Sequence, residues 1–245
     1  MTKGSTTEPD LAPLAESLGY GFKDARLLER ALTHRSWAHE SVPSGDEESA
    51  RLLHNEALEF VGDSVLGLVV AEALFKSHPH VTEGELSRMK HRLVSTQTLA
   101  RVSRGLRLGE FLRVGRGEEK TGGRRKRALL ADAFEAVLAA VYLDGGFAEA
   151  AAFVRRALGA ELSGATPESA AASDFKTLLQ ERLQAGGHPA PQYELVETLG
   201  PPHERTFRVE VVLDGERVRG EGRSIKAAEM DAACRALRAM GEGGG

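Results

Sequence analysis

The chain is short of cysteine, of aromatic residues and of long apolar runs, and each shortage narrows what it can be. A single cysteine, Cys234, stands without a partner in 245 residues. That excludes a disulfide framework and a cysteine zinc site, and it leads us to expect a reducing compartment. No stretch reaches the ~18 apolar residues of a membrane span, and the most apolar one, Val65 to Phe75, is broken by Glu72. The opening residues MTKGSTTEPD carry no apolar h-region, so we expect no secretory signal, no membrane partner and a cytoplasmic, soluble chain. A strong net charge is missing too. With 32 Lys+Arg against 36 Asp+Glu the formal charge is -4, so any attraction to a polyanion has to come from local basic patches. At 41% hydrophobic the chain still has the material for a core, in one large domain or two smaller ones.

The first ~165 residues read as helical, on apolar periodicity. Leu27, Leu28, Ala31 and Leu32 form a stripe opened by Asp24 as N-cap. A long helix is expected from Ser49 to about Lys76 and another from about Glu83 to Arg104. The glycines and charges of GRGEEKTGGRRKR, 115–127, predict a loop or turn. Ala128 to Leu143 resumes as an apolar helix stopped by Gly145-Gly146, and Phe147 to Leu162 gives one more. Residues 163–173, SGATPESAAAS, have the composition of a linker. Beyond it a helix from Asp174 to Ala185 precedes a switch to period two: Phe207, Val209, Val211 and Leu213 alternate with Arg208 and Glu210. Asp214-Gly215 is a hairpin signal leading into Arg217 to Gly222, and Ser224 caps a final helix through Met240.

The chemically informative segment is HNEALEFVGDSVL, 54–66. Glu56, Glu59 and Asp63 are spaced by three and four, so they share one face of a helix whose neighbouring Leu58, Phe60, Val61, Val65 and Leu66 are apolar. Asp132 and Glu135 repeat the arrangement on ADAFEAVLAAVYLD. Stacked like charges cost stability unless a cation neutralises them. One reading is two solvated faces of amphipathic helices. The other is a hard-metal site of oxygen ligands, suited to magnesium or manganese and to two-metal phosphodiester hydrolysis. Glu83, opening the next helix, is an auxiliary acid on the second reading and a favourable helix-dipole charge on the first.

HNEALEFVGDSVL resembles the signature of the ribonuclease III family. LTHRS (32–36), EGELS (83–87), GRGEEKTGGRRK and ADAFEAVLAAVYLDGG are similar to further family segments, in family order. DFKTLLQE (174–181), GPPHERTF (200–207) and GRSIKAAEMDAA (222–233) resemble a double-stranded-RNA-binding domain. The resemblance implies a mainly α protein, with an all-helical endonuclease domain and then a small α-β-β-β-α module. The boundaries expected are a disordered N-terminus at 1–10, the catalytic domain at 11–162, a flexible linker at 163–173, the RNA-binding domain at 174–240 and a disordered tail at 241–245. It implies a homodimeric, Mg2+-dependent endonuclease, with Mn2+ as a substitute. Its products carry 5′-phosphate and 3′-hydroxyl ends with two-nucleotide 3′ overhangs, and its substrates include ribosomal RNA precursors and other structured RNAs. By the same resemblance Glu59, Asp63, Asp132 and Glu135 are the catalytic metal ligands and Glu56 and Glu83 assist. Phe60 and Val61 lie at the dimer seam, and Thr177, Gln180, Glu181, His203, Arg223 and Lys226 meet RNA.

Two features depart from a simple reading. Residues 174–240 hold 10 Lys+Arg and 11 Asp+Glu, a formal charge of -1, which is low for a phosphate binder. Ile225 also stands where the family usually places a basic residue. The S-x-x-K of Ser87 to Lys90 and the K-T-G of Lys120 to Gly122 are set aside because no S-D-N follows. A non-catalytic RNA-binding protein with a decayed nuclease domain would have lost Asp63 or Glu135, and both are present. Cys234 is expected to be a small buried residue of the last helix.

Overall fold

The structure, a computed structural model, describes residues 10–167, 169, 175–201, 205–213 and 215–242. It divides into two compact units between Ala165 and Thr166. Residues 1–9 and 243–245 of the ends expected to be disordered, and 168 and 170–173 of the expected linker, lie outside the described residues.

The first unit is helical. It comprises α1 (Ala12–Leu18), α2 (Ala25–Ala31), α3 (Arg35–Ser41), α4 (Glu47–Leu53), α5 (Glu56–Ser77), α6 (Glu83–Leu93), α7 (Thr96–Gly105), α8 (Leu108–Phe111), α9 (Arg116–Lys120), α10 (Arg127–Gly145), α11 (Phe147–Ala157) and α12 (Gly159–Ser163). Its centre is α10, on which α5, α7, α11 and α2 all pack. The run Ala136 to Val141 is wholly buried because its alanines let neighbouring helices approach from several sides. Phe134 and Phe153 stack at 5.5 Å between α10 and α11. At the end of α10, the Asp144 carboxylate accepts from Tyr20 Oη and Lys23 N, each at 2.8 Å, and from Asp24 N at 2.9 Å. Burial and that bond push the Tyr20 hydroxyl up to about 12.

Four expectations need correction. The helix expected from Ser49 to Lys76 is two, parted at His54-Asn55. There Asn55 turns aside to donate its N–H to Thr33 O at 3.0 Å and its Nδ2 to Ala31 O at 3.3 Å. The helix expected from Glu83 to Arg104 also breaks, at Val94-Ser95, because Ser95 Oγ caps a new start at Thr98 N. Its first half begins with a complete capping box between Thr82 and Glu85. Phe147 to Leu162 is interrupted at Leu158. The glycine-rich 115–127 segment is not plain loop: it holds α9 and a 3-10 turn, Gly123–Arg125, pinned by Glu118–Lys126 and Glu119–Arg124 ion pairs.

The second unit runs α13 (Phe175–Ala185), β1 (Gln192–Leu199), β2 (Thr206–Leu213), β3 (Glu216–Gly222), α14 (Ile225–Glu242). The sheet is antiparallel in the order β1-β2-β3, with a bulge between Leu195 and Glu197. Leu179 and Leu183 of α13, Val211 of β2 and Ala232, Ala233 and Ala236 of α14 form the core. Helix α14 lies almost on the backbone of β3, where a Cβ on Gly220 would stand 2.1 Å from Ala232 N. Cys234 is half-buried rather than buried, because its neighbours Ala232, Ala233 and Ala236 take the inward positions. On the outer side of the sheet the alternation of β2 fails at Glu210, which is only 9% exposed. Arg219 and Arg217 roof its carboxylate, at 2.7 and 3.3 Å. The charge pairs hold that carboxyl below its usual range. Asp214, half of the expected hairpin pair, lies outside the described residues, while Gly215 has the φ of 89° that such a turn requires.

Candidate active site

Helices α5 and α10 meet through a glycine. A Cβ on Gly62 would fall 1.8 Å from the carbonyl oxygen of Glu135, so only a residue without one lets the two backbones come this close. The carboxylates flanking that contact therefore face each other. Glu59, Asp132 and Glu135 each bring a carboxylate oxygen into a group spanning no more than 4.8 Å, and all three are half-buried. Asp63 is exposed and outside that tight group, but its charge is the largest of those acting on Glu135. Glu56 is exposed at the start of α5, with Arg35 at 3.4 Å and His54 at 3.9 Å. Glu83 accepts from Ser87 Oγ at 2.8 Å at the head of α6 and is not part of the cluster.

The electrostatics are those of unneutralised acids. Burial first, then the charges of Asp63, Glu59 and Asp132, push Glu135 up to about 8. Burial and the Asp132 charge raise Glu59 as well, and burial raises Asp132. Among the described residues no Lys or Arg pairs with any of these three. His54 gives little compensation, since burial lowers its pKa and favours the neutral ring. The donor set is oxygen only, convergent and short of positive charge, which fits a hard divalent cation and does not fit a zinc or copper site.

Beside the acidic face, α5 carries large apolar side chains that nothing in this chain covers. Phe60 is 76% exposed, Leu68 59% and Phe75 70%, and their spacing places them along one stripe, with Val61 half-buried beside it. Large apolar side chains exposed in line on one helix make this face a candidate interaction surface.

The residue pattern that carries this geometry matches a known family model. Residues 24–162 match the ribonuclease-III-like model and 175–240 the double-stranded RNA binding motif. The chain belongs to the ribonuclease III family. It is 45% identical to ribonuclease 3 of Magnetococcus marinus over 94% of this chain and 93% of that protein. It is 46% identical to ribonuclease 3 of Pseudomonas fluorescens over 94% and 96%. The nuclease domain of ribonuclease III from Campylobacter jejuni is similar in structure, with 37% identity and a TM-score of 0.55 over 62% of this chain and 98% of that one. That nuclease domain shows structural flexibility in a region involved in its dimer formation. As a ribonuclease III the chain is an endoribonuclease acting on double-stranded RNA, and its second unit is the RNA-binding module.

In that module Thr177, Gln180 and Glu181 share an exposed face of α13. Arg223 and Lys226 flank the start of α14, which Ser224 Oγ caps by accepting from Ala227 N at 3.1 Å. His203 lies outside the described residues. Ile225 points outward, 43% exposed, and does not pack into the sheet. Many of the module's cations are already committed: Lys176 to Glu229, Arg208 to Glu197 and Glu221, Arg217 to Glu194 and Glu210, Arg219 to Glu210 and Arg235 to Asp231. Sequence reasoning overlooked Gly62, although a glycine between Glu59 and Asp63 in an apolar helix was the available signal. It also overlooked Asp144 as the residue that fastens 20–24.

Proposed function

We propose that the chain hydrolyses phosphodiester bonds of double-stranded RNA in a magnesium-dependent reaction, with Mn2+ able to substitute. Glu59, Asp63, Asp132 and Glu135 would hold the ion, with Glu56 adding negative charge beside it. The convergence of three half-buried carboxylates within 4.8 Å is the observation that carries this reading. The chemistry such an ion supplies when bound is Lewis-acid activation of water and stabilisation of charge on the phosphoryl oxygens. The chain's own contribution is to present oxygen donors from two rigid helices and to keep cations of its own out of the cluster. Glu135, once ionised, offers the strongest local negative potential, because it is the most desolvated and feels the three neighbouring charges.

In this reading the products carry 5′-phosphate and 3′-hydroxyl ends with two-nucleotide 3′ overhangs. Staggered ends need two sites, one per protomer of a homodimer closed through the apolar stripe of Phe60, Val61, Leu68 and Phe75. The substrates are ribosomal RNA precursors and other hairpins in the cytoplasm, and Glu83 assists near the dimer interface. The RNA-binding module contributes Thr177, Gln180 and Glu181 toward a minor groove, His203 toward the next, and Arg223 and Lys226 toward the phosphates between. The division at 11–162 and 174–240, joined by 163–173, separates cutting from holding. The test is Glu135→Gln on a long RNA duplex in saturating magnesium. Cleavage falls by orders of magnitude while duplex binding without metal stays within a few-fold; normal cleavage by this variant overturns the assignment.

A further inference from the structure

Away from the acidic cluster, a cavity of about 520 Å³ opens among the end of α7, α8, the Gly123–Arg125 turn and the start of α10. Four arginines line it, Arg104, Arg107, Arg124 and Arg125, against two carboxylates, Glu110 and Glu119. Arg107 Nε donates to Glu110 at 2.8 Å and Arg124 Nε to Glu119 at 2.6 Å. Arg104 and Arg125 make no ion pair among the described residues, so two guanidinium groups remain uncompensated at the rim. This is a different face of α10 from the carboxylates. Leu130 turns toward α7, where its carbonyl accepts from Ser103 Oγ at 2.7 Å, and Asp132 is ~200° further round the helix.

The backbone adds a separate observation. Arg107 has φ 59° and ψ 25°, the one non-glycine among the described residues with positive φ. That conformation suits glycine, because a Cβ crowds the carbonyl oxygen there. Here an arginine holds it, with its side chain on the cavity. Retained strain of this kind collects at ligand sites.

We propose that this cavity seats a phosphomonoester dianion, the terminal phosphate of a nucleotide. Two unpaired guanidinium forks match its two charges and three terminal oxygens, which is the geometry arginine recognises best. An internal phosphodiester carries one charge and sits on the flank of a stiff duplex, which cannot be lowered into a pocket. A chain end or a free nucleotide can enter, and the volume lies within the ~300–1,000 Å³ of small-ligand sites. The shared chemistry has two sources, a free nucleotide and the 5′-phosphorylated end of an RNA strand. The seat does not depend on the metal assignment.

Calorimetric titration of the full-length protein in EDTA tests this, since chelation prevents any ion from bridging phosphate to the acidic cluster. The probes are AMP, adenosine, and one trinucleotide with a 5′-phosphate or a 5′-hydroxyl. AMP and the phosphorylated trinucleotide bind at least about tenfold more tightly than their unphosphorylated counterparts. The double variant Arg104→Ala/Arg125→Ala loses that difference at an unchanged melting temperature, both side chains being exposed. A trinucleotide tighter than AMP identifies the RNA end as the source, and AMP equal or tighter identifies the free nucleotide. Equal binding with and without the phosphate, no binding at millimolar probe, or a preference that survives in the double variant overturns the proposal.

Discussion

Replacing Gly62 by alanine tests how the carboxylates are brought together. The added Cβ starts 1.8 Å from Glu135 O and 2.4 Å from Glu135 C, both backbone atoms that no rotamer change can move. An ordinary contact of at least 3.4 Å requires α5 and α10 to part by about 1.6 Å. Overfilling a packed core costs about 1–3 kcal/mol, and an unyielding backbone neighbour puts this site at the upper end. Helix propensity returns up to ~1 kcal/mol, leaving a net loss of about 2 kcal/mol. For a unit of this size that is a fall in melting temperature of about 4–8 °C. Oxygens that share one magnesium ion at ~2.1 Å lie no more than ~4.2 Å apart, so the same displacement carries the Glu59 donor away from the ion that Asp132 and Glu135 would hold. Gly62→Ala therefore also loses the rise in melting temperature that magnesium gives the parent. Gly105→Ala is the control: its Cβ meets nothing within 4 Å, so stability stays level or rises slightly. A Gly62→Ala protein that melts with the parent and responds fully to magnesium refutes the close-contact argument.

Glu135 makes stability depend on pH. Its folded pKa of about 8 lies above the ordinary 4.5, so the folded chain holds a proton that the unfolded chain has released. In chelator, the contribution of Glu135 to stability is therefore fully present below pH ~4.5, falls through the window up to ~8 and is lost above it. Glu135→Gln removes most of that slope in thermal melts at a series of pH values, and an unchanged slope counts against the burial and charge argument. Phe60→Ala deletes an aromatic worth ~3–5 kcal/mol when buried in a seam. Because Phe60 is 76% exposed within one chain, sedimentation moves toward monomer while monomer folding is spared; a wild-type chain that is monomeric at micromolar concentration sinks the dimer reading. Ile225→Lys adds a cation at an outward position and steepens the slope of log affinity against log salt by up to ~0.9. Its melting temperature stays put, and a lowered melting point with an unchanged slope would mean that this residue faces the sheet.

What the sequence revealed and what it hid divide along the distance of the interaction. Asp24, Thr82 with Glu85, and Ser224 act on their own helices, and their caps were readable or became obvious once the helix was placed. The spacing of Glu56, Glu59 and Asp63 on α5, and of Asp132 and Glu135 on α10, is likewise local. Their meeting is not, because it depends on Gly62 touching the backbone of Glu135 across more than seventy intervening residues. The break at Asn55 was hidden for the same reason: its partners are Ala31 and Thr33, and the helical pattern continues through it undisturbed. Period two in β2 was clear from Phe207 to Leu213, yet it gave no hint that Glu210 would be covered by arginines of the next strand.

That covering of Glu210 limits how the module can approach a polyanion. A guanidinium already tied to a carboxylate has to break that tie before it can greet a phosphate. The outer side of the sheet, where Arg208, Arg217 and Arg219 are each so tied, is therefore nearly mute toward RNA despite its many arginines. Lys226 and the exposed Thr177 and Gln180 of α13 lie on another side. A domain with one talkative side and one silent side can settle on a duplex in a single posture, so its modest charge serves orientation more than grip.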